Sequence, residues 1–201
     1  LSANQPHVML TPGIHAAYEK GVEALAGAEG VTTVARGAEA EGVNLAQSAL
    51  FATSGEQFRT NPALSHEVFG SSSILVKCAT IEEVIATIAQ MEGQLTATLQ
   101  MDESDNDNAA KLLPTLSRKV GRVLANGWPT GVEVTHAMVH GGPFPSTSDG
   151  RTTSVGTLAM MRFLRPVCYQ DVVDAVLPPA LQAANPWKLN RRMEGKLELA
   201  Q

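Results

Sequence analysis

The chain has 201 residues, room for one domain or one domain with an appendage; at that length folding buries roughly 70% of the unfolded surface, so a core forms without disulfide or metal staples. Hydrophobic residues make up 44% and charged residues 17%, with a formal net charge of -5 and a pI near 5.5. That acidic balance argues against a grip on phosphate backbones, and 4% aromatics against a base-stacking surface, so nucleic acid is not an expected partner.

Cys78 and Cys168 stand far apart and match neither a disulfide framework nor a Cys-x-x-Cys zinc spacing, which points to a reducing compartment. No apolar run approaches the ~20 residues that span a bilayer, and the start Leu-Ser-Ala-Asn-Gln-Pro has neither the basic nor the apolar part of a signal peptide. The expectation is a soluble, cytoplasmic protein without membrane contact. A start at Leu1 also raises the expectation of a truncated or processed chain.

Thr11-Pro12 opens the first expected helix: threonine caps, and proline at the first helical position gives up an amide that has no partner there. Ile14, Tyr18, Val22 and Leu25 follow at helical spacing, and Gly30 is the expected stop. Two β-type runs, Val31 to Ala35 and Leu45 to Thr53, flank a turn from Gly37 to Gly42. Ser73 to Ala79 reads as a buried strand, and Thr80-x-x-Glu83 is a capping box ahead of Val84, Ile85, Ile88 and Met91.

Leu95 to Met101 is the next expected strand, and Asp102 to Asn108 starts a second helix that Pro114 should kink or restart. Val120 to Ala125 is another strand. From there to Thr153 the chain is rich in Gly, Pro and Ser, with only Val132 to Val139 expected to be extended; a loop of that length is more often functional than idle. Ser154 to Leu164 reads as a buried helix ended by Arg165-Pro166, Val167 to Gln170 as a short strand, and the tail as turns with a short helix around Pro178-Pro179. Strands alternating with helices of these lengths give an α/β domain with a mostly parallel sheet.

The residues most suggestive of chemistry lie in Asn61-Pro-Ala-Leu-Ser-His-Glu-Val-Phe-Gly70, which places Glu67 and Phe69 two apart before a strand. A carboxylate has two oxygens and can accept both hydroxyls of a ribose. Taken alone, a solvated glutamate is the commoner reading of such a loop residue.

The wider sequence resembles the aldehyde dehydrogenase superfamily, in order along nearly the whole chain. The Thr11-Pro12 helix, Glu67-Val-Phe-Gly, Ile81-Glu82-Glu83-Val84, Gly121-Arg-Val-Leu-Ala-Asn126, and Gly141-Gly142 with Gly150-Arg151 are all similar to that family's C-terminal half. Pro62-Ala63-Leu64, Arg162-Phe163-Leu164-Arg165-Pro166-Val167 and Leu177-Pro178-Pro179-Ala180-Leu181 are most similar to its dehydrogenases of 2-oxoglutarate semialdehyde (2,5-dioxopentanoate). The resemblance implies part of a three-layer, parallel-sheet catalytic domain in residues 1–164. It implies a C-terminal strand and tail in 165–201 that contacts a partner subunit in a homo-oligomer.

It also implies a reaction and its residues. In the family a cysteine thiolate attacks the aldehyde, hydride passes to NAD or NADP, and a glutamate-activated water hydrolyses the thioester. Glu67 would grip the nicotinamide ribose, Phe69 would pack beside the nicotinamide, and His140, just before Gly141-Gly142, would either line the aldehyde tunnel or face solvent as an ordinary loop histidine. The family's nucleophile and base lie upstream of the glutamate-phenylalanine element, and the 66 residues before Glu67 hold no cysteine.

Cys78 and Cys168 read as small buried hydrophobes rather than nucleophiles, so no catalytic residue is assigned and the chain alone is expected to be inactive. The nucleophile would belong to the remainder of the same enzyme. Thr152 to Val155 stand where many members carry a proton-relay glutamate, and the Gly141-Gly142 loop lacks a frequent lysine, implying a reshaped pocket. Arg151 and Arg165 are candidates to meet an acidic aldehyde. His136-x-x-x-His140 has a helical zinc spacing but no third ligand and a loop setting, so no metal is expected. The alternative to an enzyme part is a non-catalytic interaction module, built on exposed sheet edges.

Overall fold

A computed structural model describes residues 1–39 and 41–200. The chain divides into two compact units, Leu1–Arg162 and Phe163–Gln201.

In the first unit, β1 (His7–Val8) precedes α1 (Pro12–Ala26). Thr11 caps α1, its side chain accepting from the amide of Ile14. The helix stops at Gly27 rather than Gly30, because the Gly27 amide turns back onto the carbonyls of Glu23 and Leu25. Gly30 instead takes a positive φ of 75° in the turn that follows. After β2 (Thr32–Arg36), the expected turn from Gly37 to Gly42 includes Ala40, which lies outside the described residues.

The second β-type run is divided into β3 (Leu45–Ala46) and β4 (Ala49–Ser54). They serve different partners: β3 pairs antiparallel with β1, β4 antiparallel with β2. The short α2 (Gly55–Thr60) and a 3-10 turn at Pro62–Ser65 lead to β5 (Ser72–Lys77), which pairs parallel to β4 from Ala49↔Ser72 to Ser54↔Lys77. Expected as a buried strand, β5 is buried on one face only. Ile74 and Val76 pack on the core, while Leu75 on the other face is 48% exposed.

Helix α3 (Ile81–Gln90) follows, capped by Thr80, whose hydroxyl accepts from the Glu83 amide. The Glu83 carboxylate reaches past the cap residue to the amide of Ala79 at 2.8 Å and to Arg59 at 3.2 Å, stapling α3 to α2. β6 (Gln94–Leu99), α4 (Asn106–Lys119) and β7 (Val120–Ala125) complete a second parallel pair. α4 is one continuous helix through Pro114, without a restart there. Proline there removes one backbone hydrogen bond, and the helix retains buried Leu112, Thr115 and Leu116 on either side of it.

The core of this unit lies between α1, β4 and α2: Tyr18, Val22, Leu25, Ala46, Ala49, Phe51, Phe58 and Leu64. Burying a valine, leucine or phenylalanine side chain stabilises by about 1.5–3 kcal/mol.

Beyond β7 several expectations fail together. Val132 to Val139 forms no strand, and Ser154 to Leu164 is a 3-10 segment, Thr157–Phe163, whose apolar side chains are exposed rather than a buried helix. In the second unit Val167 to Gln170 is not a strand. A strand needs an edge to pair with, and this segment finds none among the described residues. Cys168, expected to be buried in that strand, is consequently exposed, and Cys78 is only partly buried. A hairpin that composition did not reveal, β8 (Arg191–Met193) with β9 (Lys196–Glu198), turns on Glu194 and Gly195, both at positive φ.

Candidate functional site

Helix α1 builds the loop that carries Glu67 and Phe69. The Tyr18 ring lies against the α-carbon of Gly70, which holds φ at 152°, and the Tyr18 hydroxyl donates to the carbonyls of Gln47 at 2.7 Å and Ser71 at 3.3 Å. One turn on, Gly21 leaves room for Val68: a β-carbon at Gly21 would fall 2.8 Å from the Val68 Cγ1. Val68 packs against the core, whereas Glu67 and Phe69 on either side are exposed, Phe69 by 68%.

Glu67 and Phe69 line a cleft of about 940 Å³. Its floor is Leu25, Phe58, Leu64 and Ile74, and its far wall is Met91 to Thr96 with Pro145 and Ser146. The cleft therefore lies at the amino ends of β5 and β6, whereas open α/β sheets usually bind ligands beyond the carboxyl ends. Among the described residues Glu67 has no hydrogen-bond or ion-pair partner, so both carboxylate oxygens are free to accept.

Pro145 and Ser146 reach the cleft because glycines let their loop cross the amino ends of β6 and β7. A β-carbon on Gly93 would meet the carbonyl oxygens of Pro143 and Phe144 at 2.5 Å, and one on Gly121 would collide with the carbonyl of Gly141. The Ser146 hydroxyl donates to the carbonyl of Pro143 at 2.6 Å, closing the turn. The sequence reading missed this wall. The signal present in the sequence was the pair of glycines just before β6 and at the second residue of β7, where a strand otherwise prefers side chains.

His140 lies outside the residues lining that cleft. Its amide donates to the Thr153 hydroxyl at 2.8 Å, its carbonyl accepts from the amide and hydroxyl of Ser154, and its Nδ1 is buried without a partner among the described residues. The structure thus brings Glu67 and Phe69 together and leaves His140 apart from them.

Arg122 anchors the segment that follows β7. It donates to the carbonyls of Gly131 at 2.9 Å and Pro129 at 3.3 Å. Arg151, one candidate for an acidic substrate, is already engaged: its guanidinium forks onto both oxygens of Asp149, at 2.9 and 3.1 Å, and these hydrogen bonds draw the Asp149 carboxyl down to about 2. Arg165 is exposed. His136 meets the Thr157 hydroxyl at 3.2 Å, and among the described residues no three His, Cys, Asp or Glu side chains cluster as metal ligands.

No family model matches the chain. It is 52% identical, over 191 residues, to the alpha-ketoglutaric semialdehyde dehydrogenase 2 of Azospirillum brasilense, covering 95% of this chain and 36% of that protein. To the alpha-ketoglutaric semialdehyde dehydrogenase of Acinetobacter baylyi it is 47% identical, covering 96% of this chain and 37% of the relative. Nearly the whole chain is thus similar to part of two aldehyde dehydrogenases.

It spans a little over a third of the length of these curated relatives and corresponds to their C-terminal portion. Its fold is similar to part of solved aldehyde dehydrogenases. The NAD-bound delta-pyrroline-5-carboxylate dehydrogenase of Mycobacterium tuberculosis superposes with a TM-score of 0.61 at 17% identity, over 85% of this chain and 31% of that one. Among the described residues no helix is long and apolar enough to cross a membrane.

Proposed function

We propose that this chain is the C-terminal part of the catalytic domain of an NAD(P)-dependent aldehyde dehydrogenase that oxidises 2-oxoglutarate semialdehyde to 2-oxoglutarate. The observation that carries the cofactor reading is the cleft of about 940 Å³ with the unpartnered Glu67 carboxylate beside the exposed Phe69 ring. Its volume suits a ligand of nucleotide size. Glu67 would accept the two ribose hydroxyls, Phe69 would offer an aromatic face to the nicotinamide, and Pro145 and Ser146 would close the opposite wall against water. The bound dinucleotide supplies the hydride acceptor.

The substrate reading rests on likeness to two alpha-ketoglutaric semialdehyde dehydrogenases. Nucleophile and general base come from the rest of the enzyme, so the chain by itself binds and orients without turning over. His140, apart from the cofactor residues and with a buried, unpaired Nδ1, is assigned to the aldehyde. Residues 165–201, where Val167, Tyr169, Val173 and Trp187 are exposed, are assigned to contact with a second subunit, and the free thiols of Cys78 and Cys168 suit the cytoplasm.

The test uses the full-length enzyme, supplied with 2-oxoglutarate semialdehyde and either NAD or NADP. Glu67→Gln should raise the cofactor KM about tenfold, the loss of a charge-assisted hydrogen bond, with the aldehyde KM unchanged. An unchanged cofactor KM rejects the cofactor assignment, and no NAD(P)H from any semialdehyde rejects the enzymatic one.

A further inference from the structure

We infer that Tyr18 and Gly21 of α1 are positioning residues for the nicotinamide cofactor, setting Glu67 and Phe69 through the backbone of the loop between them and the helix. The inference rests on the cofactor reading of the cleft. Three successive points of that loop are fixed from one helix. Val68 sits in the gap left by Gly21, Gly70 lies under the Tyr18 ring, and the carbonyl of Ser71 accepts from the Tyr18 hydroxyl at 3.3 Å.

The same Ser71 carbonyl accepts from the Ala49 amide at 3.0 Å, so the end of the loop is also tied to the start of β4. Tyr18 itself is only 1% exposed, and its hydroxyl spans from the loop to Gln47 at 2.7 Å, in the break between β3 and β4. A residue that merely filled the core would need no hydroxyl there. Here the hydroxyl joins helix, sheet and loop at one point, beside the two residues that face the cleft.

The chemical consequence follows from what the cleft must recognise. A ribose diol and an aromatic ring joined by one glycosidic bond have a fixed separation, and Glu67 and Phe69 match it only while the backbone between them is held. Freeing that backbone makes cofactor binding order the loop first, and the cost falls on cofactor affinity rather than on the aldehyde.

The experiment measures cofactor and aldehyde KM, kcat and Tm for Tyr18→Phe, Gly21→Ala and Glu67→Gln in the full-length enzyme. Tyr18→Phe keeps the ring and removes the hydroxyl, and should raise the cofactor KM roughly fivefold, with the aldehyde KM at saturating cofactor unchanged. Gly21→Ala pushes Val68 outward while leaving Tyr18 intact and improving helix propensity, and should give the same split. If Glu67→Gln raises the cofactor KM while the two α1 variants lower Tm alone, the positioning role is overturned and the cofactor reading stands. If Glu67→Gln has no effect, the cofactor reading falls and takes this inference with it. Should Tyr18→Phe yield no soluble enzyme, Gly21→Ala decides: an unchanged cofactor KM there overturns the inference.

Discussion

The hydroxyl of Thr153 accepts from the backbone amide of His140 at 2.8 Å and donates to the carbonyl of Val155 at 2.7 Å, so one buried side chain ties together two segments of the long loop after β7. Thr153 is 5% exposed, and its replacement leaves the two backbone groups without that partner. Thr153→Val, close in shape, should destabilise the fold by about 1–3 kcal/mol. Urea unfolding of the two forms checks this; equal midpoints would deny the hydroxyl its role.

Gly121 decides whether the loop carrying Pro145 and Ser146 can lie across the strand ends. A β-carbon there collides with the carbonyl of Gly141, which is backbone and can move only if the loop lifts. Gly121→Ala should cost about 1–3 kcal/mol as overpacking and raise amide exchange through residues 141–146. Hydrogen exchange that stays slow in that segment would show that the contact is absorbed elsewhere.

The Asp149–Arg151 fork predicts how that loop responds to acid. Folding lowers the Asp149 carboxyl from 3.8 to about 2 through its hydrogen bonds to Arg151. A depressed carboxyl contributes stability above its unfolded value and loses it as pH falls through its folded value, so the fork's contribution should fade between about 3.8 and 2 and the fork itself open as pH falls through about 2. Amide exchange of Arg151, whose N–H also donates to Asp149 at 3.0 Å, reports this directly. Asp149→Asn should remove the step.

Glu83 gives a second acid-sensitive point with the same sign. The Ala79 amide, and after it the Arg59 side chain, hold its carboxyl below the usual 4.5. Its contribution is present above that value and is lost on acidification below it, weakening the α2–α3 staple. Glu83→Gln should flatten the dependence of the urea midpoint on pH below 4.5, and a slope identical to that of the unmodified chain would count against the staple.

Where pattern and packing agree locally, the sequence was sufficient. Thr11-Pro12 starts α1 because a hydroxyl and a missing amide suit a helix end wherever the helix sits, and Thr80 starts α3 through its hydroxyl alone. β7 occupies the whole of the run from Val120 to Ala125. The pairing of β4 with β5 and of β6 with β7 follows from strands joined through helices, and the order of motifs along the chain carried the resemblance to aldehyde dehydrogenases.

Tertiary structure alone decided what depends on residues distant in the chain. No spacing announces that Tyr18 lies under Gly70, 52 positions away, or that Gly93 and Gly121 are small so that one loop can cross both. The expected helix at Ser154 to Leu164 and the strand at Val167 to Gln170 failed because apolar residues order only against a surface that covers them, and none of the described residues does so. Sequence thus settles elements whose stabilising partners lie within a turn or two, whereas the cleft beside Glu67 and Phe69 exists only because long-range contacts set its walls.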